Sequence, residues 1–217
     1  MILEVRNIVT LYGQSLVLYE VSLAVEKGEI VALLGRNGAG KTTTMRSIMG
    51  LTPPRSGSIK FNGMDITGKQ PYEIAKLGVG YSPDECRIFA NLSSEDNLLL
   101  AGRQVKGKDK VWTVEKIYQL FPALRRLQSS RGGRLSGGER KMLAIGRALM
   151  RDPELLLLDE PSEGLAPLIV KALAEAMVEI RRTGVTIFIA DQNLRFCKKV
   201  ADRGYIMDKG TIRYGDE

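Results

Sequence analysis

Eight residues, Gly35-Arg36-Asn37-Gly38-Ala39-Gly40-Lys41-Thr42, constrain the fold more than any other stretch of the chain. They match the pattern G-x-x-x-x-G-K-[ST] at every fixed position, and their flanks are of the kind the pattern needs. Ile30 to Leu34 ahead of them is a continuous apolar run of strand length, and Thr43 to Met49 behind them reads as a helix that stops at Gly50. A strand, a glycine-rich loop and a helix in that order wrap backbone N–H groups around an anion at a helix N-terminus, whose unsatisfied donors and partial positive charge favour phosphate. Lys41 then reaches the β- and γ-phosphates of a nucleotide, and the Thr42 hydroxyl holds Mg2+. The competing reading is a glycine-rich turn; at average glycine usage a chance match in this length is on the order of one per cent.

With 217 residues the chain is long enough to bury the core of one α/β domain. Cys86 and Cys197 are the only cysteines and there is no histidine, which argues against a disulfide framework or a Cys/His zinc site and fits reduced thiols in the cytosol. Met1 to Arg6 lacks the apolar core of a signal peptide, and no apolar run approaches the roughly 18 residues of a membrane span, so a soluble chain is expected. The formal charge of +7 is spread over Lys106/Lys108/Lys110, Arg125-Arg126, Arg140-Lys141, Arg181-Arg182 and Lys198-Lys199. Scattered clusters read as solvated faces, with ATP, anionic headgroups or an acidic partner as secondary beneficiaries. With aromatics at 6% they do not make the stripe of a nucleic-acid reader, and no specific nucleic acid is expected.

Alternation over Leu3 to Leu11 and Val17 to Val25 predicts an antiparallel opening layer with a turn at Lys27-Gly28. Tyr12 falls at a strand end, where it either stacks on a purine or serves as an ordinary strand tyrosine like Tyr19. Asn62-Gly63 after Gly57 to Phe61 signals a hairpin, Pro71 to Leu77 a short helix and Val79 to Ser82 a short strand. From Pro83 to about Arg151 the period turns helical. Ser93 or Ser94 caps a helix through Leu100, and Val114, Ile117, Tyr118 and Phe121 fall at i, i+3, i+4, i+7 before Pro122. One domain over 1–217 is expected, its core in 1–82 and 152–217 and a helical insertion over 83–151.

Ser136-Gly137-Gly138-Glu139 opens the next helix, and Ser136 with Glu139 makes a capping box that needs no function. Two glycines in a first helical turn nevertheless cost roughly 1 kcal/mol each against alanine, which favours a second phosphate site, without a lysine. Leu155 to Leu158 reads as a buried parallel strand with Asp159 and Glu160 at its carboxyl end, the edge where open α/β sheets bind ligands. Beside a phosphate loop, Asp159 supports the Mg2+ shell and Glu160 orients or deprotonates the attacking water. A helix from Pro167 to about Arg182, a buried strand from Val185 to Ala190 and a closing hairpin from Tyr205 to Arg213 complete the chain.

The phosphate loop, LSGGE about ninety residues later and LLLLDEP together resemble the nucleotide-binding subunits of ABC (ATP-binding cassette) transporters, over nearly the whole chain. The resemblance implies an α/β P-loop NTPase core with an antiparallel β layer and a helical subdomain insertion, and ATPase activity with ATP and Mg2+. In that family the LSGG segment of one subunit covers the γ-phosphate held by another. Ser136, Gly137 and Gly138 are thereby assigned to a partner's nucleotide in a head-to-tail dimer, and Tyr12 to the adenine.

Pro161 to Pro167, Asp191-Gln192-Asn193, Gly80-Tyr81-x-Pro83 and Arg87-Ile88-Phe89 are similar to the ATP-binding subunits of branched-chain amino acid importers and their urea-transport relatives. This implies transmembrane permease subunits as partners, docked over Pro83 to about Leu127 with Ile88 and Phe89 as an exposed apolar pair beside Arg87. It also implies a related ATPase subunit as heterodimer partner, or a homodimer in isolation, at the cytoplasmic face of the membrane. Asp84 stands where the family carries a glutamine or glutamate that reaches the metal, and joins Thr42 and Asp159 there. Gln192 stands where most cassettes have a histidine; its amide is expected at the γ-phosphate, donating a hydrogen bond without exchanging a proton near pH 7. Its competing role is to cap the next helix with Asn193. Soluble ABC ATPases of DNA repair or translation need a long coiled coil or a second cassette, neither of which 217 residues contains. A nucleotide-gated module with little turnover is the other alternative.

Overall fold

Alternation of apolar and polar residues builds the first layer. β1 (Leu3–Tyr12) and β2 (Ser15–Val25) pair antiparallel, Leu3 against Val25 and Tyr12 against Ser15. The uniformly apolar β3 (Ile30–Leu34) enters a different sheet and feeds α1 (Lys41–Ile48). β4 (Ser56–Phe61) returns to lie beside β1, and Asn62 and Gly63, both at positive φ, turn it into β5 (Met64–Asp65). α2 (Pro71–Lys76) and β6 (Val79–Ser82) follow. The computed structural model describes residues 1–103 and 111–215; the Lys106/Lys108/Lys110 cluster lies outside the described residues.

Between β6 and the next strand, the described elements are helices: α3 (Ser94–Gly102), α4 (Val114–Leu120), α5 (Pro122–Arg126), a 3-10 turn at Gly132–Arg134 and α6 (Gly137–Leu149). Ser93 caps α3, accepting from the Asp96 N–H at 3.0 Å, while Ser94 is buried. The helical run expected to end before Pro122 resumes at it, because proline in a first helical position forfeits no intrahelical bond. β7 (Leu155–Asp159), α7 (Pro167–Arg182), β8 (Thr186–Asp191), α8 (Leu194–Val200), β9 (Arg203–Asp208) and β10 (Thr211–Gly215) complete the order.

The second sheet runs β10-β9-β3-β8-β7-β6 and is parallel except for the β9–β10 hairpin. Its apolar runs serve two cores, one on each face. Ile30, Ala32, Leu156, Leu158, Ile187 and Ile189 pack with the side chains of α6, α7 and α8. The residues between them, Val31, Leu33, Leu155, Leu157, Phe188 and Ala190, pack with α1 and the antiparallel layer. Register then decides where chemistry gathers: Leu34 pairs with Asp191, Asp159 with Ala190 and Ser82 with Leu158. The carboxyl ends of β3, β8, β7 and β6 therefore share one edge and deliver Gly35, Gln192, Glu160 and Pro83 to the same side. Among the described residues no helix is long and apolar enough to cross a membrane.

Candidate functional site

The loop from Gly35 turns into α1 with Lys41 and Thr42 already in the first helical turn, earlier than the helix read from Thr43. Gly40 is the N-cap at φ 112°, where a side chain is strained, and a Cβ at Gly35 would stand 2.6 Å from the Met207 carbonyl oxygen. The β9–β10 hairpin fixes the loop from outside through the Gly210 N–H, which donates to the Ala39 carbonyl at 2.8 Å. Arg36, Asn37 and Gly38 form the exposed rim, and Ala39, Gly40 and Thr43 are buried beneath it.

Beneath the loop the titratable groups converge. The buried Lys41 Nζ donates to the carbonyls of Gly35 at 3.0 Å and Arg36 at 3.1 Å, and pairs with Glu160 Oε1 at 3.0 Å. Asp159 is 1% exposed; it accepts from Thr42 Oγ1 at 3.1 Å and from the Tyr81 hydroxyl at 3.2 Å. Burial pushes its carboxyl up to about 6; those two hydrogen bonds oppose the rise and the charge of Asp84 adds to it. Tyr81 is itself pushed well up, by burial first and then by the Asp159 charge.

Glu160 sits at φ +47°, left-handed for a non-glycine residue, with its N–H on the Ala190 carbonyl at 2.7 Å. Its carboxyl is raised by burial and by the neighbouring Glu163 carboxyl, and lowered by Lys41. The end of β7 thus presents two carboxyls in different settings. One lies beside a hydroxyl from the phosphate loop, the other beside that loop's lysine.

Tyr12 and Asp84 reach the same place. A cavity of about 340 Å³ is lined by Tyr12, Thr42, Arg46, Tyr81 and Asp84, among others. Tyr12 is half exposed, with the Arg46 guanidinium 5.7 Å from its ring centre. Gln192 borders a second cavity with Gly35, Arg36 and Asn37, and its Nε2 donates to Glu163 Oε1 at 3.3 Å. The cap of α8 is Asn193 alone, accepting from the Phe196 N–H at 3.1 Å. Ser136, Gly137 and Gly138 line neither cavity. Ser136 and Glu139 close the capping box, and a Cβ on Gly137 would meet nothing within 4 Å. The fold itself gives no reason for a glycine there.

The structure adds residues that the sequence reading passed over. Glu163 and Tyr81 contact the two candidate carboxylates, and Arg46 faces Tyr12. Lys141, read as part of a solvated basic pair, is buried and donates to the carbonyls of Glu160 and Glu163. Ile88 and Phe89 do not form the exposed apolar pair expected beside Arg87. Ile88 packs against the core beneath Gly132, and only Phe89, 47% exposed with the Arg147 guanidinium 4.6 Å from its ring, presents an apolar face beside Arg87.

A family model described as ABC transporter matches residues 18–163. The high-affinity branched-chain amino acid transport ATP-binding protein BraG of Pseudomonas aeruginosa is 42% identical over 210 residues, 97% of this chain and 90% of its own. The lipopolysaccharide export system ATP-binding protein LptB of Escherichia coli is 36% identical over 97% of this chain and 88% of its own. The solved structure of an ATP binding subunit of an ABC transporter, 31% identical, superposes with a TM-score of 0.87 over 100% of this chain and 90% of that one. The chain belongs to the ABC transporter family and is one of its ATP-binding, ATP-hydrolysing cassettes.

Proposed function

We propose that this cassette powers a membrane importer of branched-chain amino acids or a related small polar solute such as urea. The observation that carries the enzymatic half is the meeting of Lys41, Thr42, Asp159 and Glu160 at one sheet edge. The choice of solute rests on the likeness to the Pseudomonas relative and on the Pro161 to Pro167 stretch. In this reading Tyr12 stacks on the adenine, the amides of Gly35 to Thr43 cradle the phosphates, and Lys41 leaves Glu160 for the β- and γ-phosphates. The Glu160 carboxylate, freed from the lysine, takes a proton from the water that attacks the γ-phosphorus as the bond to the β–γ bridging oxygen breaks and ADP leaves.

Thr42, Asp159 and Asp84 supply hard oxygen donors that suit Mg2+, which binds through one or two carboxylates together with substrate phosphates. When bound, the ion neutralises charge developing on the β- and γ-oxygens. In this reading Gln192, which borders the phosphate loop and donates to the Glu163 carboxyl, gives its amide to the γ-phosphate. Gln192→Ala should lower turnover about tenfold, the worth of one donor, with ATP affinity unchanged. Wild-type turnover of that variant in the assembled transporter would leave Gln192 with a structural role only, its hydrogen bond to Glu163.

Ser136, Gly137 and Gly138 face the nucleotide of a second cassette, a related subunit in the cell, in an ATP-closed dimer at the cytoplasmic face of the membrane. Residues 83–151 form the helical subdomain, and the stretch to Leu127 docks on permease subunits. A cavity of about 680 Å³ lined by Tyr72, Arg87, Phe89, Leu100 and Arg147 offers the receiving groove. Arg87→Glu with Phe89→Ala should weaken co-purification with the membrane subunits by about 2 kcal/mol or more, roughly thirtyfold. Intact co-purification by a folded double variant places the docking site elsewhere. The solute is tested by isolating the complex from native membranes, identifying its polytopic subunits and measuring ATP-driven uptake of leucine, valine and urea in vesicles. A reconstituted complex that hydrolyses ATP and takes up none of them overturns the importer assignment.

A further inference from the structure

Lys141 stands in α6 one turn beyond Ser136, and its side chain runs inward instead of to solvent. It is 7% exposed, and its Nζ donates to two main-chain carbonyls, that of Glu160 and, at 3.2 Å, that of Glu163. Burying an ammonium costs desolvation energy, and a methionine would pack α6 against the core without that cost. What the charge provides is two charge-assisted hydrogen bonds, roughly twice as strong as neutral ones, on a single turn.

That turn needs holding. It begins with Glu160 at φ +47° and closes through the Glu163 N–H on the Glu160 carbonyl at 3.3 Å. Glu160 is gripped at both ends by lysines from different helices, its carboxylate by Lys41 of α1 and its carbonyl by Lys141 of α6. Once Lys41 engages phosphate, the Lys141 ammonium still holds the carbonyl of this left-handed residue.

We propose that Lys141 is a positioning residue for hydrolysis: it sets the Glu160–Glu163 turn from the helix that opens with Ser136-Gly137-Gly138, so that this segment and the Glu160 carboxylate move together. The inference rests on the reading of Glu160 given above. In the full-length chain, Lys141→Met is expected to lower kcat about ten- to hundredfold while KM for ATP stays within about threefold. Lys141→Gln, which keeps a donor, recovers part of the loss. In a Glu160→Gln background, Lys141→Met adds less than about threefold, because the group it positions is already gone.

Wild-type kcat in Lys141→Met beside an impaired Glu160→Gln, or equal losses in both backgrounds, overturns the inference alone. Full turnover in Glu160→Gln overturns the underlying reading and this inference with it. If Lys141→Met does not fold, Lys141→Gln carries the same cycle, with a larger fold-loss of kcat expected in the wild-type background than in Glu160→Gln and equal losses overturning the inference.

Discussion

Glu160→Gln is expected to bind ATP and dimerise with it while hydrolysing it about 10²- to 10⁴-fold more slowly, roughly 3 to 5 kcal/mol of barrier. Glutamine keeps the shape of the side chain and an oxygen for Lys41, and the main chain stays anchored on Ala190 and Lys141. What it loses is the capacity to accept a proton. Burial and Glu163 raise the Glu160 carboxyl toward the operating pH, which strengthens it as a base, while Lys41 favours the ionised form. Phosphate release, nucleotide binding and light scattering measured in parallel check each part. Undiminished turnover removes Glu160 from the chemistry, and a variant that no longer dimerises with ATP removes the two-cassette arrangement.

Asp159→Asn should make the chain more stable as it makes it inactive. The Asp159 carboxyl is raised from 3.8 to about 6 in the fold, so between those values the native state holds the proton more tightly than the unfolded chain does. Stability consequently falls as pH rises through that window, and above about 6 the whole penalty is present, up to about 3 kcal/mol. Asparagine avoids it, since its carbonyl accepts from Thr42 and its NH₂ donates to a Tyr81 hydroxyl turned to receive it. Without metal or nucleotide, thermal unfolding at pH 8 should shift upward by about 5 to 10 °C, with the gain fading as pH falls from about 6 and gone below about 4. A shift that ignores pH, or a destabilised variant, would refute the assigned cause. Loss of turnover in the same variant reports the missing carboxylate in the Mg2+ shell.

The parts of this site that were legible in the sequence are those whose physics is local. A glycine-rich loop between strand and helix, a capping box at Ser136 and Glu139, an Asn62-Gly63 hairpin and an acidic pair ending a leucine strand each follow from neighbouring residues, and the structure has all four. Lys141 was not legible. Whether a lysine turns outward or reaches a carbonyl depends on a turn that folds beside it from twenty residues downstream, and the Arg140-Lys141 pair carries no trace of that. Ile88 fails for the same reason: Gly132 comes back over it from another segment. Gln192 was placed at the correct edge by its position after β8, but its partner, Glu163, is supplied by the turn after β7. Side chains that act across elements are set by tertiary register, which no local pattern encodes.

The large sheet also works as a gauge. Neighbouring strands lie about 4.8 Å apart, and only β8 separates β3 from β7, so the strand ends that carry Gly35 and Asp159 stand roughly 10 Å apart. A lysine one turn along on the first side and a glutamate on the second span that gap, with an ion pair at 3.0 Å to spare for exchange against phosphate. One more strand between them would add about 5 Å and put the two groups out of mutual reach. Helices hung between β6 and β7 alter no distance along this edge. Over evolutionary time the stretch from α3 to α5 is therefore free to lengthen, shorten and change its docking face, whereas α6, which carries Lys141 to the Glu160 turn, and the order of β3, β8 and β7 are not.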